Sequence, residues 1–214
     1  MQNVDRVRLS ISLAKKMLSD SIWKSANVEG LGTTFHNTEA ILYNMLVTTK
    51  RDEVLFILNM KSSWTFLLEN LDYNNCFILI REFNKICMRD LNIAPVGVLR
   101  TSDVSIGGTS WKPSIPVENL VFENIKELNA VEDAEMKAVL YFCYLCKTQL
   151  FYDGNKRVAQ LMANKILISA GIGILSIPVE LRDTFMKLLV SYYEDDNNMF
   201  NLIQFLRANC IQRI

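Results

Sequence analysis

Histidine, proline and glycine are scarce in this sequence of 214 residues, with 1, 4 and 8 copies respectively. Gly and Pro interrupt regular helices, and apolar residues recur here at three- and four-residue spacing, so the pattern predicts a mainly α-helical protein. The length and the 50% hydrophobic composition are enough for a sizeable buried core. A single histidine also leaves few ligands for a zinc site.

An excess of either charge is absent, since Lys plus Arg and Asp plus Glu both number 23. We therefore expect no general attraction to nucleic acid or to an anionic membrane. The apolar runs are too short to cross a bilayer and the N-terminus lacks a signal-peptide pattern, so we expect a cytoplasmic protein. The odd number of cysteines fits reduced thiols better than disulfides, and a lone Cys143-x-x-Cys146 in an apolar helical run is a weak signal for zinc or redox chemistry.

The periodicity predicts ten helices and one β-structured interruption. Between Pro95 and Pro116, the short β-type runs 96–100 and 104–106 predict a β-hairpin followed by a loop. An exposed strand edge there would accept an extended peptide, although these residues alone fit a simple connector equally well. The predicted helices are residues 4–18, 20–28, 38–48, 52–71, 75–91, 117–128, 131–149, 156–170, 179–193 and 199–210.

The turn between the two most apolar helices carries the residues with the clearest chemistry. Asp153, Gly154 and Asn155 supply a carboxylate, a residue free to take positive φ and an amide, directly before a helix that opens with Lys156 and Arg157. The free N–H groups of a helix start and two cations favour an anion, and a neighbouring carboxylate suits Mg²⁺ that also binds phosphate. An ordinary helix–helix turn with solvated cations is the alternative.

Phe151-x-Asp-Gly-Asn-Lys-Arg157 resembles the signature loop of the Fic family, His-Pro-Phe-x-Asp/Glu-Gly-Asn-Gly/Lys-Arg, which often has another Arg three residues on. Ser25 to Gly30 is similar to the Ser/Thr-x-x-x-Glu-Gly/Asn motif of the family's inhibitory helix. The predicted hairpin is similar to the family's flap, and the resemblance spans about residues 20–210. It implies a Fic-type helical bundle with a small β-hairpin flap, with N-terminal helices at 1–50 and a core at 51–214.

The resemblance also implies ATP and Mg²⁺ as ligands and AMP transfer to a protein hydroxyl. Asp153 would hold Mg²⁺, while Phe151 would anchor the loop in the core. Ser25 and Glu29 would form the inhibitory motif, with a surface helix pair as the alternative. An unknown target protein would bind along the hairpin edge. The implied phosphate ligands are Gly154, Asn155, Lys156 and Arg157, and the implied target-binding flap residues are Arg100, Val104 and Ile106.

Three positions depart from the family pattern. Gln149 stands where active members have histidine, and a carboxamide cannot accept the proton of an attacking hydroxyl, which removes a contribution of roughly 10²–10⁴-fold to the rate. The only histidine, His36, lies elsewhere in the sequence. Gln160 replaces the distal Arg that pairs with the inhibitory Glu, so Glu29 would have to reach Arg157 or Gln160 itself. Lys156 stands where nucleotide-transferring members usually have Gly, and a similar Lys occurs in the Doc kinase branch.

Several functions therefore stay open. The leading hypothesis is a protein adenylyltransferase scaffold with weak or altered activity. A catalytically silent regulator that binds nucleotide or protein is the alternative, and a Doc-like kinase or an unrelated helical interaction protein ranks lower. Exposed apolar helix faces could support a homodimer, but nothing in the sequence specifies one.

Overall fold

Helices dominate the fold. A computed structural model describes residues 2–91 and 95–214, and each of the ten predicted helical segments overlaps a helix. Their bounds are α1 Gln2–Lys16, α2 Leu18–Val28, α3 Phe35–Leu42, α4 Arg51–Glu69, α5 Phe77–Cys87, α6 Glu118–Ala130, α7 Ala134–Thr148, α8 Asn155–Ser169, α9 Arg182–Glu194 and α10 Met199–Asn209. The prediction of a mainly α fold is confirmed.

Helices α7 and α8 form the centre of the molecule and pack on each other more extensively than any other pair of described elements. Helix α8 is buried on nearly all sides, which is typical of a helix at the core of a domain. Two of its buried polar side chains, Asn164 and Lys165, bond to neighbouring segments. Asn164, for example, exchanges two hydrogen bonds of 2.8 Å with the backbone of Leu175. These bonds fix the position of α8, whose first turn carries Lys156 and Arg157.

A small antiparallel sheet joins the region after α8 to the C-terminal end of the chain. Strand β1, Gly173–Leu175, pairs with β2, Ile211–Arg213, with Gly173 opposite Arg213. The sequence pattern does not predict these strands, because strands of three residues give too little alternation to stand out from the flanking helices.

The predicted β-hairpin between Pro95 and Pro116 is wrong, because none of these residues belongs to a strand. The backbone groups that a hairpin would pair with each other bond to the helical body instead. The N–H of Gly97 donates to Asn84 Oδ1 (2.8 Å), and its carbonyl accepts from Arg81 (2.7 Å). The N–H of Arg100 donates to the Leu150 carbonyl (3.0 Å). Residues 95–116 thus form an irregular segment, here called the strap, that is held to the helical core by these hydrogen bonds.

The N-terminal helices place Glu29 at the end of α2. This helix stops at Gly30, which adopts φ 79°, and the N–H of Leu31 reaches back to the Ala26 carbonyl (3.0 Å) as in a helix-terminating motif. Arg182, at the start of α9, donates to the Asn27 carbonyl (2.6 Å) and ties this end to the core. Helix α3 begins earlier than predicted because the side chain of Thr34 caps it.

The cysteines are free thiols, and four of the five are buried. Burial raises the pKa of Cys143 to about 12 and that of Cys146 well above its usual value, so both stay protonated at neutral pH. In residues 2–91 and 95–214, no three His, Cys, Asp or Glu side chains come together as a metal site. Nor does that part of the chain contain a helix with the length and hydrophobicity that spanning a bilayer requires.

Candidate functional site

The turn between α7 and α8 brings the predicted site residues together at the start of a buried helix. Gly154 adopts φ 81°, and a Cβ at this position would lie 2.9 Å from Met88 Sδ and 3.0 Å from Asn84 Nδ2. Only glycine fits both the conformation and the space. Because Gly154 has no side chain to cap α8, the first amide N–H groups of that helix are left for another acceptor.

Asn155 holds the turn in shape through its side chain. Its Oδ1 accepts from the N–H of Phe151 (3.0 Å), while its Nδ2 donates to the Phe151 carbonyl (2.8 Å) and to Gln149 Oε1 (2.9 Å). Phe151 itself is buried, as expected of a core anchor. The side chain of Asn155 is therefore committed to the protein, and only its backbone N–H is left to face an anion.

Two cations and two carboxylates meet beside this helix start. Glu29 lies 3.1 Å from Lys156 Nζ and 3.5 Å from Arg157 Nε, and Asp153 lies 3.1 Å from Arg157 Nη2. Burial alone would lower the pKa of Arg157, but the carboxylates of Glu29 and Asp153 hold it above its usual value. The charges balance within the cluster, so a bound polyphosphate would have to compete with Glu29 for both cations.

The guanidinium of Arg157 is held from several sides. It lies 5.3 Å from the centre of the Phe56 ring, and Nη1 donates weakly to the Cys87 carbonyl (3.4 Å). A cavity of about 340 Å³ opens beside it. This cavity is lined by Glu29, Leu31, Asp52, Phe56, Leu91, Asp153 and Arg157. The contributions of Asp52 and Phe56 could not be read from the sequence, because α4 is far from the loop along the chain.

Gln149 occupies the other end of the turn, and both the nitrogen and the oxygen of its side-chain amide form hydrogen bonds. It adopts φ 46°, in the left-handed region. Its Nε2 donates to the Cys146 carbonyl (2.6 Å) and, at 3.5 Å, to the Tyr193 hydroxyl, and its Oε1 accepts from Asn155. Burial raises the pKa of Tyr193 well above its usual value, so this hydroxyl stays protonated and is no substitute for a base.

Glu29 contacts Arg157 rather than Gln160, which resolves the alternatives left by the sequence. Ser25, the other residue of the inhibitory motif, is buried, and its Oγ has no hydrogen-bond partner in the described residues. Gln160 is also buried, within α8. His36 is exposed at the start of α3 and does not line the cavity beside Arg157.

Arg100 is a structural clamp rather than an accessible residue of a flap. Its side chain is fully buried, and Nε donates to the Gln149 carbonyl (2.6 Å). The other guanidinium nitrogens donate to the backbone carbonyls of Ser102 (3.0 Å), Pro113 (3.1 Å) and Ser114 (2.5 Å). The expectation that Arg100 contacts a target is therefore wrong, because these bonds use its N–H groups and burial hides the rest.

The strap is also fixed to the surroundings of the turn at two interior residues, Thr101 and Trp111. The Tyr152 hydroxyl accepts from the N–H of Thr101 (3.0 Å). Further along, Trp111 stacks on Tyr193 with ring centres 5.3 Å apart. Between these anchors, Val104 and Ile106 stay partly exposed, and their part in target binding remains a prediction.

This chain is similar to known proteins in sequence and in fold. Residues 77–167 match the sequence profile described as the Fic/DOC family. The chain is 27% identical over 179 residues to protein adenylyltransferase fic-1 of Caenorhabditis briggsae, covering 75% of this chain and 34% of that protein. It is 27% identical over 210 residues to protein adenylyltransferase Fic of Culex quinquefasciatus, covering 93% of this chain and 41% of that protein. The chain thus spans between a third and a half of the length of these relatives.

Solved structures share the fold. A fragment of Fic-1 from C. elegans superposes with a TM-score of 0.73 at 21% identity, covering 97% of this chain and 62% of that one. A Fic family protein from Desulfovibrio desulfuricans superposes with a TM-score of 0.71 at 16% identity, covering 96% and 72%. The matched residues contain α5, α6, α7 and most of α8, together with the whole loop between α7 and α8. Residues 77–167 therefore match the Fic/DOC family, and the chain as a whole has the helical fold of the solved Fic proteins.

Proposed function

We propose that residues 151–157 bind ATP with Mg²⁺, and that the chain is a scaffold for AMP transfer to a protein hydroxyl whose activity is weak or altered. The observation that carries the proposal is the charged cluster at the start of α8. Lys156 and Arg157 lie in the first turn of this helix, which has no side-chain cap, and both pair with the carboxylate of Glu29. The relatives named protein adenylyltransferase support the choice of AMP transfer.

Asp153 suits a divalent ion that arrives with phosphate. Its side chain is 39% exposed, and one of its oxygens pairs with Arg157. Magnesium commonly takes one or two carboxylates, several waters and phosphate oxygens. The ion would supply charge neutralisation on the phosphates, and Asp153 would orient it. Arg157 would neutralise the outer phosphates, and the N–H groups of the first turn of α8 would hold the inner one.

Titration calorimetry with ATP and Mg²⁺ tests this proposal. The wild-type chain should bind ATP in a Mg²⁺-dependent manner, and Asp153→Ala and Arg157→Ala should each abolish binding. Asp52→Ala is a matched control, since Asp52 lines the same cavity but has no ion pair to Arg157 among the described residues. Absence of heat from the wild type at millimolar ATP would refute the proposal.

A second candidate is a catalytically silent nucleotide-binding regulator. The hydrogen bonds of Gln149 favour it, because the amide at the base position holds Asn155 and the end of α7 instead of facing an open space. Incubation with α-labelled ATP distinguishes the two candidates. Transfer of label to the chain itself or to lysate proteins would refute the catalytically silent regulator. ATP binding without any transfer of label would support it.

A further inference from the structure

A second cavity, here called the side pocket, lies between α6, α7 and residues 111–117 and has a volume of about 260 Å³. The side chains that line it are mainly apolar. Three of these side chains are about half exposed: Ile115 at 46%, Val117 at 55% and Leu120 at 54%. Large apolar side chains grouped around a concave surface are a feature of interaction sites rather than of ordinary surface.

The side pocket is joined to the candidate site through the backbone. Thr148 and Leu150, the two neighbours of Gln149 in the chain, both line it. The guanidinium of Arg100 bonds at once to the Gln149 carbonyl and to the carbonyls of Pro113 and Ser114, which also line the pocket. One guanidinium group therefore spans the distance from the base position to the pocket wall.

The rim of the side pocket is acidic. Leu120 and Asn124 line the pocket from α6, and Glu123 and Glu127 are exposed three residues further along the same helix. Residues three apart are neighbours on a helix surface, so both carboxylates lie beside the opening. The cation in the wall, Lys147, is already neutralised by Asp196 at 2.5 Å and bonded to the Tyr192 carbonyl. Around the pocket, the exposed residues between 112 and 127 carry three carboxylates (Glu118, Glu123 and Glu127) and two cations (Lys112 and Lys126), so carboxylates predominate there.

We propose that the side pocket docks an aliphatic side chain of the target polypeptide, flanked by Lys or Arg, so that a nearby hydroxyl is presented at Gln149. The apolar walls select the anchor and the carboxylates of Glu123 and Glu127 select its basic neighbours. Buried anchors in such pockets commonly dominate the binding energy of a protein interface. The inference rests on the proposed function for its role in transfer, but the docking itself is measurable without any reaction.

Photo-crosslinking tests the docking. The probe is a short synthetic peptide in which photo-leucine is flanked by lysines and a threonine, and mass spectrometry maps its attachment. The crosslinks should fall on residues lining the side pocket. Leu120→Ser should reduce them by about five- to tenfold, because apolar contact with the anchor is lost. Phe122→Ser is the matched control, since Phe122 is 48% exposed on the same helix but packs against Phe77.

A peptide with glutamates in place of the lysines should crosslink less than the basic one. Crosslinks outside the pocket, equal loss in both variants, or preference for the acidic peptide would overturn the proposal. Self-association of the chain that Leu120→Ser abolishes would assign the pocket to a second copy and would overturn it as well. Circular dichroism should show the helical signal of the wild type for both variants, which confirms that each one is folded.

The same preparations separate this proposal from the proposed function. Asp153→Ala should lose ATP binding and keep pocket crosslinking. A wild type that crosslinks in the pocket but binds no ATP would refute only the proposed function. A wild type that binds ATP but does not crosslink there would refute only the docking.

Discussion

The two ends of the turn between α7 and α8 differ in how their polar groups are used. At the α8 end, Lys156 and Arg157 pair with Glu29 in a charge-balanced cluster beside an uncapped helix start. At the α7 end, Gln149 is closed into neutral hydrogen bonds with Cys146, Asn155 and Tyr193. The first arrangement can exchange one anion for another, whereas the second has no free group to accept a proton.

This difference indicates that anion binding and proton transfer are physically separate properties of the loop. Glutamine at position 149 is compatible with the observed backbone of the turn, with Gly154 and with the cations, but a carboxamide cannot act as a general base. If residues 151–157 bind ATP as proposed, that binding does not depend on a base at position 149.

Arg100→Ala should give the largest loss of stability, because Arg100 holds the α7 end of the turn through the Gln149 carbonyl. The change leaves four backbone carbonyls without their charged donor and creates a cavity. We expect the free energy of unfolding to fall by about 4 kcal/mol. Urea denaturation measures it, with the exposed Lys112→Ala in the same strap as the control. A loss no greater than that of the control would mean that Arg100 does not hold the turn.

Asn155→Ala tests whether one side chain joins the two ends. Its three side-chain hydrogen bonds shape the turn and hold Gln149 Oε1. We expect a loss of about 3 kcal/mol in the free energy of unfolding, since the buried groups of Phe151 lose their partners. ATP affinity should also fall because the helix start is no longer fixed. Unchanged stability by urea denaturation would show that the bonds contribute little.

Gly154→Ala targets the α8 end alone. A Cβ on a residue with φ 81° is strained, and here it would also meet Met88 Sδ at 2.9 Å. We expect a destabilisation of about 2 kcal/mol and weaker ATP binding. Gly107→Ala is the control, because a Cβ at Gly107 meets nothing within 4 Å. Thermal unfolding of the two variants gives the comparison, and equal midpoints would contradict the prediction.

Glu29→Gln should have the smallest effect and the opposite sign on binding. Without its charge, the side chain no longer neutralises Lys156 and Arg157, so Mg²⁺-ATP should bind about fivefold more tightly, or ~1 kcal/mol. Asp20→Asn is the control, since Asp20 pairs with Lys24 on the same helix but away from the loop. Weaker ATP binding in Glu29→Gln would show that the carboxylate assists rather than competes.

Much of this molecule follows from local sequence patterns, and the errors have a common cause. Helical periodicity predicts the ten helices, and the residue types at 151–157 predict the turn between α7 and α8. The strap was assigned to a hairpin because Val96 to Ile106 has β-type composition. What decides its conformation is capture by Asn84, Arg81 and Leu150, which are distant in sequence. The role of Arg100 was missed for the same reason, since a buried clamp and a surface contact have the same local sequence.

The most direct test of the separation between binding and catalysis compares the wild type with Gln149→His. Mg²⁺-ATP affinity and transfer of label from α-labelled ATP are measured on the same preparations. We predict similar affinities for the two proteins and transfer that rises in the variant by roughly 10²–10⁴-fold, the usual contribution of a general base. Equal transfer by both proteins, or loss of ATP binding in Gln149→His, would contradict this account.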